Sequence, residues 1–137
     1  MKKIDIAFIV DDDQIYVFGL KKLLAINNLC KNILVFENGE KALNYITPIM
    51  SNGDELPDII LLDLNMPVMD GWEFLDEFTK IKPKLNKKIE IYMVSSSINP
   101  ADMEKAKQYE ELTDYLIKPI SIDELNKVFN EEGSTSE

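Results

Sequence analysis

Five short apolar runs, each followed by a segment of helical periodicity, restrict this chain to one class of fold. Residues 4–10, 33–36, 59–62, 89–94 and 113–117 are rich in Ile, Val, Leu and aromatics. They are too short for buried helices and predict strands buried on both faces. Helical spacing appears between them in Val17, Leu20, Leu23 and Leu24, then in Ala42, Leu43, Tyr45 and Ile46, and again in Phe74, Leu75, Phe78 and Ile81. Strands that alternate with helices return in the same direction, so the pattern predicts an α/β fold with a parallel, doubly wound sheet. The five units account for the whole chain without an internal repeat and are expected to leave no room for a second domain.

Four of the runs end in polar residues: Asp11-Asp12 after the first, Asp63 after the third, Ser95 after the fourth and Lys118 after the fifth. Open parallel sheets bind ligands outside the carboxyl ends of their strands, near the point where strand order reverses. Each signal has an ordinary reading when taken alone. Asp11-Asp12-Asp13 is more often a helix cap with a solvated neighbour, and a Lys-Pro or Ser-Ser-Ser is close to uninformative. Jointly they are harder to dismiss, because charge buried at several strand ends costs stability unless the charges find partners.

Local signals set the element boundaries. Asp13 is placed to cap a helix over about residues 14–28, Asn38-Gly39 to open a second, and Asn99-Pro100 to open a fourth that is poor in large apolar residues and so weakly anchored. Ser121-Ile-Asp-Glu124 is a capping box for the last helix, with Leu125, Val128 and Phe129 inward. Residues 51–57 read as a surface loop, 80–88 as a solvated basic connection, and 131–137 as a disordered tail, giving one domain over residues 1–130.

Composition narrows the function. Lys+Arg 15 against Asp+Glu 25 gives a formal charge of -10, which disfavours direct nucleic-acid binding, since that depends on a basic face. With no histidine the chain cannot build a Ser-His-Asp or Cys-His nucleophile, and any phosphohistidine must come from a partner. The single Cys30 forms no internal disulfide, which fits a reducing compartment. No stretch reaches the roughly 20 apolar residues of a membrane span, so no membrane insertion and a cytoplasmic location are expected.

Three carboxylates, a hydroxyl and an ammonium at one sheet edge suit a divalent cation and a phosphoryl group. Magnesium prefers oxygen ligands, and Asp12, Asp63 and a backbone carbonyl near Asn65 would suffice. A cation there removes the repulsion between crowded carboxylates and leaves Asp63 an ionised nucleophile able to form an acyl phosphate. Lys118 is the natural stabiliser of the phosphoryl oxygens, and Ser95 can donate its hydroxyl to the adduct. Tyr115, three residues before Lys118 and so expected on the opposite strand face, is the side chain to follow when that loop moves.

In Phe8-Ile-Val-Asp-Asp-Asp13, Pro57-Asp-Ile-Ile-Leu-Leu-Asp-Leu-Asn-Met-Pro-Val-Met-Asp-Gly71, Tyr92-Met-Val-Ser95 and Asp114-Tyr-Leu-Ile-Lys-Pro119, the chain closely resembles the receiver domain of two-component response regulators. The resemblance spans essentially the whole chain and implies a flavodoxin-like five-stranded sheet of order 2-1-3-4-5. It further implies that Asp63 accepts phosphate from a sensor histidine kinase or a histidine phosphotransfer protein, with Mg2+ as cofactor. Asp11 and Asp12 would form the acidic pair, Asp12 binding the metal directly and Asp11 through water, and Asn65 would give its backbone carbonyl. Lys118 would pair with the phosphoryl group, Ser95 and Tyr115 would be the switch pair, and Lys118-Pro119 would be cis. Ser95 stands where threonine is commoner, and Ser97 is not the acid or amide that some members carry.

The expectation is a stand-alone signalling receiver, not an enzyme in its own right, with no output domain. Its downstream protein target would bind the face made by the fourth helix, fifth strand and last helix, and small size and a weakly anchored fourth helix predict a phosphorylation-inducible homodimer. A phosphate shuttle in a phosphorelay uses the same site and is an alternative. A magnesium phosphatase of the haloacid-dehalogenase type, using Asp11 and Asp13, is a remoter one because it leaves Asp63 and its loop unexplained.

Overall fold

Five parallel strands in the order 2-1-3-4-5 form the centre of the molecule: β1 (Ile6–Val10), β2 (Asn32–Phe36), β3 (Ile59–Asp63), β4 (Glu90–Ser95) and β5 (Leu112–Ile117). The structure, a computed structural model, describes residues 4–130, so the expected tail at 131–137 lies outside the described residues. Helices α1 (Gln14–Ile26), α2 (Gly39–Ile46), α3 (Gly71–Ile81), α4 (Pro100–Ala106) and α5 (Ile122–Asn130) make the crossovers and the final return. Among these residues no helix is long and apolar enough to cross a membrane.

Period-two alternation in β1 explains the two layers. Phe8 and Val10 join Ile60 and Leu62 of β3 under Ala42 and Ile46 of α2 and Phe74, Leu75 and Phe78 of α3. Ala7 and Ile9 face the other way, with Ile59 and Leu61, onto Val17, Leu20 and Leu24 of α1 and Leu125 and Phe129 of α5. Every residue of β3 is buried, which is why its sequence is an unbroken apolar run. Truncating Leu62 or Phe8 to Ala would cost about 2–5 kcal/mol through lost transfer energy and the cavity left behind.

The edge strands depart from burial on both faces. β2 exposes Asn32 and Val35, and β5 exposes Thr113 and Asp114, because each has a strand neighbour on one side only. Leu23 is also exposed: the helical stripe to the core is Val17, Leu20 and Leu24.

The predicted caps are in place. Asp13 accepts the Tyr16 N–H at 3.1 Å, Asn38 the Lys41 N–H at 2.9 Å and Asn99 the Ala101 N–H at 2.9 Å, while Ser121 and Glu124 exchange side-chain and backbone bonds. α1 ends earlier than its periodicity implies, at Ile26, because Asn28 turns the chain through a left-handed φ of 51° that asparagine tolerates. A second capping box, Asp70 with Glu73, opens α3. The basic connection is not wholly solvated, since Lys87 Nζ lies 2.8 Å from Asp58 and donates to the Leu56 carbonyl at 3.0 Å. α4 buries none of its residues, consistent with weak anchoring.

Candidate functional site

The site lies where strand order reverses. β1 pairs with β2 on one side and β3 on the other, so the chain leaves this point in both directions and the loops after β1 and β3 open a crevice. Asp11 and Asp12 follow β1, Asp63 is the last residue of β3, and Lys118 follows β5. Strand β4 extends one residue further than its apolar run, so that Ser95 too ends a strand.

Asp11 and Asp63 are 5% and 6% exposed, whereas Asp12 is open to solvent. One carboxylate oxygen from each of the three lies within 4.8 Å of the others. Lys118 Nζ sits 2.9 Å from Asp11 Oδ2 and 3.6 Å from Asp63 Oδ1. The other oxygen of Asp11 accepts the Asp13 N–H at 2.8 Å, so both its oxygens are engaged. Asp13 itself is exposed and serves as the cap of α1, which gives a phosphatase acid at this position no support.

Electrostatics follow from the crowding. Burial first, and then the charge of Asp11, push the Asp63 carboxyl up to about 6, against the pull of Lys118 and of the Asn65 N–H. For Lys118, burial disfavours the ammonium, yet the hydrogen bond and charge of Asp11, with the charge of Asp63, outweigh it and hold the group above the usual lysine range. Three acidic oxygen donors that repel one another and carry one ammonium are a fit for a hard divalent cation such as Mg2+. Asn65 is exposed beside them.

The loop after Asp63 is shaped by its backbone. Met69 N–H donates to the Pro67 carbonyl at 2.7 Å across Val68, whose φ is 70°. A β-branched residue in that region stores strain. Gly71 then brings the helix start against the strand end: a Cβ there would stand 2.8 Å from Met93 Sδ, 3.0 Å from Leu64 Cα and 3.1 Å from the Asp63 carbonyl oxygen.

Ser95 and Tyr115 are not joined. Ser95 is fully buried, accepts the Ser97 N–H at 3.2 Å and makes a long contact to the Ser97 carbonyl at 3.4 Å. The Tyr115 hydroxyl is buried with no hydrogen-bond partner among the described residues. Its ring packs on the α2–α3 side of the sheet, while Lys118 reaches the ring of Tyr16, which packs on the α1–α5 side. The peptide between Lys118 and Pro119 is cis, and the Lys118 N–H donates to the Ser95 carbonyl at 2.7 Å. Carboxylates and ammonium thus converge; the hydroxyl is beside them but turned to its own loop. Tyr16 was not singled out in the sequence, where an aromatic three residues after a capping Asp carries no distinctive signal.

A family model described as "Response regulator receiver domain" matches residues 7–130. The "Probable methanogenesis regulatory protein FilR2" of Methanothrix harundinacea is 27% identical over 92% of this chain and 79% of its own length. The DNA-binding transcriptional regulator NtrC of Klebsiella pneumoniae is 30% identical over 87% of this chain but only 23% of its own length, so the likeness to it is confined to a part of that protein. Among solved structures, a two-component response regulator from Cytophaga hutchinsonii superposes with a TM-score of 0.84 at 29% identity, covering 95% of this chain and 97% of that one.

Proposed function

The chain belongs to the response regulator receiver domain family, and from that membership we propose that Asp63 is a phosphoacceptor whose modification changes the affinity of a partner for this domain. Receivers act with histidine kinases and downstream targets; here the donor is a phosphohistidine of a histidine kinase or histidine phosphotransfer protein. A carboxylate oxygen of Asp63 attacks phosphorus in line, an O–P bond forms, and the P–N bond breaks with its electron pair going to imidazole nitrogen. Lys118, already held between Asp11 and Asp63, is in reach of the charge that develops on the phosphoryl oxygens. Asp12 and Asp63, with the Asn65 carbonyl and Asp11 through water, are the residues that would hold Mg2+. When bound, the ion supplies charge neutralisation at the carboxylates and at the phosphoryl group.

The observation that carries this reading is the single ammonium shared by two buried carboxylates at the point where strand order reverses. A fold needing only stability would gain little from it, because buried ion pairs seldom repay their desolvation. The donor has a surface to meet: Ile15, Phe18 and Ile26 on the outer side of α1 are 86%, 63% and 74% exposed, beside a pocket of about 430 Å³ that runs from Asp11 and Asp12 to Phe18 and Val35. A helix apolar on both faces is built to be covered. In this reading output runs through α4, β5 and α5 with Ser95 and Tyr115 as the switch pair, supported by an α4 that buries none of its residues and a Tyr115 hydroxyl with no hydrogen-bond partner among the described residues.

Intact mass after incubation with acetyl phosphate and Mg2+ tests the reading. Wild type is expected to gain one phosphoryl group, and Asp63→Asn or removal of the metal to abolish the gain. Trp72 reports on the same sample, because it stacks at 5.5 Å on Tyr109, just beyond α4, and lies at 5.0 Å under Lys105 in the last turn of that helix. The absence of both an adduct and released phosphate would overturn the proposal.

A further inference from the structure

Lys118 has a third neighbour that the phosphoacceptor chemistry leaves unexplained. Its Nζ lies 4.3 Å from the centroid of the Tyr16 ring, in addition to its two carboxylates. An ammonium has three N–H donors, and here it has three partners: Asp11 Oδ2 at 2.9 Å, Asp63 Oδ1 at ion-pair distance and the face of an aromatic ring. The ring is held in place by its own backbone. Asp11 accepts the Asp13 N–H, Asp13 accepts the Tyr16 N–H, and Tyr16 underlies the lysine that returns to Asp11. These contacts make a closed circuit in which the first turn of α1 is tied to the end of β5.

We propose that Tyr16 is a positioning residue for Lys118 in phosphoryl transfer, acting through the face of its ring. The inference rests on the receiver reading above. A lysine on a four-carbon stem has many rotamers, and two carboxylates on one side of it leave the ammonium free to swing between them or toward solvent. An aromatic face closes the remaining side without taking a proton and without adding a charge that would compete with the phosphoryl group, and in a water-poor site this attraction is at its strongest. The hydroxyl is not what does this: it is buried with no hydrogen-bond partner among the described residues, and burial with the charges of Asp11, Asp63 and Asp13 pushes its ionisation up, so the ring stays neutral.

The prediction separates ring from hydroxyl. Tyr16→Phe should phosphorylate within about twofold of wild type with acetyl phosphate and Mg2+, whereas Tyr16→Leu should be slower by about tenfold, the loss expected when a desolvated cation–π contact is removed. In a Lys118→Met background the same Tyr16→Leu change should have no further effect, because the residue through which it acts is gone. A second readout needs neither metal nor phosphate: acylation of Lys118 by an amine-selective reagent in the metal-free protein, located by peptide mass. The Leu variant should label Lys118 several-fold faster, the Phe variant at the wild-type rate. If Leu does not fold, Tyr16→Met takes its place. Equal losses with and without Lys118, a Phe variant as slow as Leu, or unchanged labelling would each overturn the proposal. Failure of wild type to form an acyl phosphate would strike the receiver reading instead, and the labelling would still decide the contact.

Discussion

Replacing Asp63 by Asn should stabilise the metal-free protein at neutral pH. The Asp63 carboxyl is raised from 3.8 to about 6 by burial and the charge of Asp11, which means that the folded state holds this proton more tightly than the unfolded state does. Stability from this group is fully present below the unfolded value, falls as pH rises, and is lost once pH has passed through the folded value. A shift of about 2 units at about 1.4 kcal/mol each corresponds to about 3 kcal/mol at pH 7. That figure already contains the attraction to Lys118, so it is the net penalty that the asparagine removes. Urea unfolding in EDTA at several pH values between 4 and 8 measures it: the variant should exceed wild type by about 3 kcal/mol at pH 7, with the gap closing toward pH 4 and the m-value unchanged. Adding Mg2+ should narrow the gap at pH 7, since an ion that binds the folded wild type stabilises it by mass action. A gap that is the same at pH 4 and pH 7, or a variant less stable than wild type at pH 7, would refute the argument from repulsion between buried carboxylates.

Gly71→Ala should cost about 1–3 kcal/mol in thermal or urea unfolding, because two of the three atoms its Cβ would meet are backbone, and it should slow acyl-phosphate formation by displacing Asp63. The double change Ile15→Ser with Phe18→Ser should leave phosphorylation by acetyl phosphate intact while slowing transfer from a phosphohistidine donor; equal rates with that donor would remove α1 as its docking face. Lys87→Met should destabilise the fold at pH 7 by about 1–3 kcal/mol. Asp58, though burial opposes it, is held below the usual carboxylate range by Lys87 and the Ile6 and Asp5 N–H groups, so that stabilisation exists above the unfolded pKa and is lost as pH falls through the folded one. The deficit of the variant in urea should therefore shrink on acidification below about pH 4.

The three central strands and the polar residues that end them are legible in the sequence, because burial on both faces leaves a nearly unbroken apolar run, whereas the edge strands β2 and β5 keep enough Ile, Leu, Val and aromatics to show despite exposed Asn32, Thr113 and Asp114. β3 is the extreme case, every residue buried up to and including Asp63. Asp11, Asp12, Asp63 and Lys118 were legible for the same reason: a charge at the end of such a run is conspicuous. What was illegible concerns contacts made across layers. Tyr16 is spaced from Asp13 by a helical turn and from Lys118 by most of the chain, and nothing in its local pattern separates it from an ordinary core aromatic. Lys87 sits in a lysine-rich stretch whose pattern implies solvent, yet it pairs with Asp58, which lies far from it in sequence. The end of α1 is blurred in the sequence because Asn27 and Asn28 are compatible with a helix, and only the left-handed φ of Asn28 ends it.

Charge counting ties the site to the proposed switch. Three carboxylates and one ammonium carry a net charge of about -2, the amount one divalent cation neutralises. Converting the Asp63 carboxylate to its acyl phosphate adds up to about one further negative charge, and no second cationic side chain stands with Lys118 among the contacts described at these carboxylates. The excess must then be met by neutral donors. Ser95, at the end of the neighbouring strand, is one such donor: its hydroxyl is held only by the backbone of Ser97, at 3.2 Å and 3.4 Å, so a charged acceptor can outcompete that partner. Turning Ser95 toward the phosphoryl group would draw residues 96–99 after it, and with them the Asn99 cap of α4, a helix that buries none of its seven residues. The Tyr115 hydroxyl, buried and without a partner, is the group on β5 that gains most from a backbone atom brought within reach by that movement.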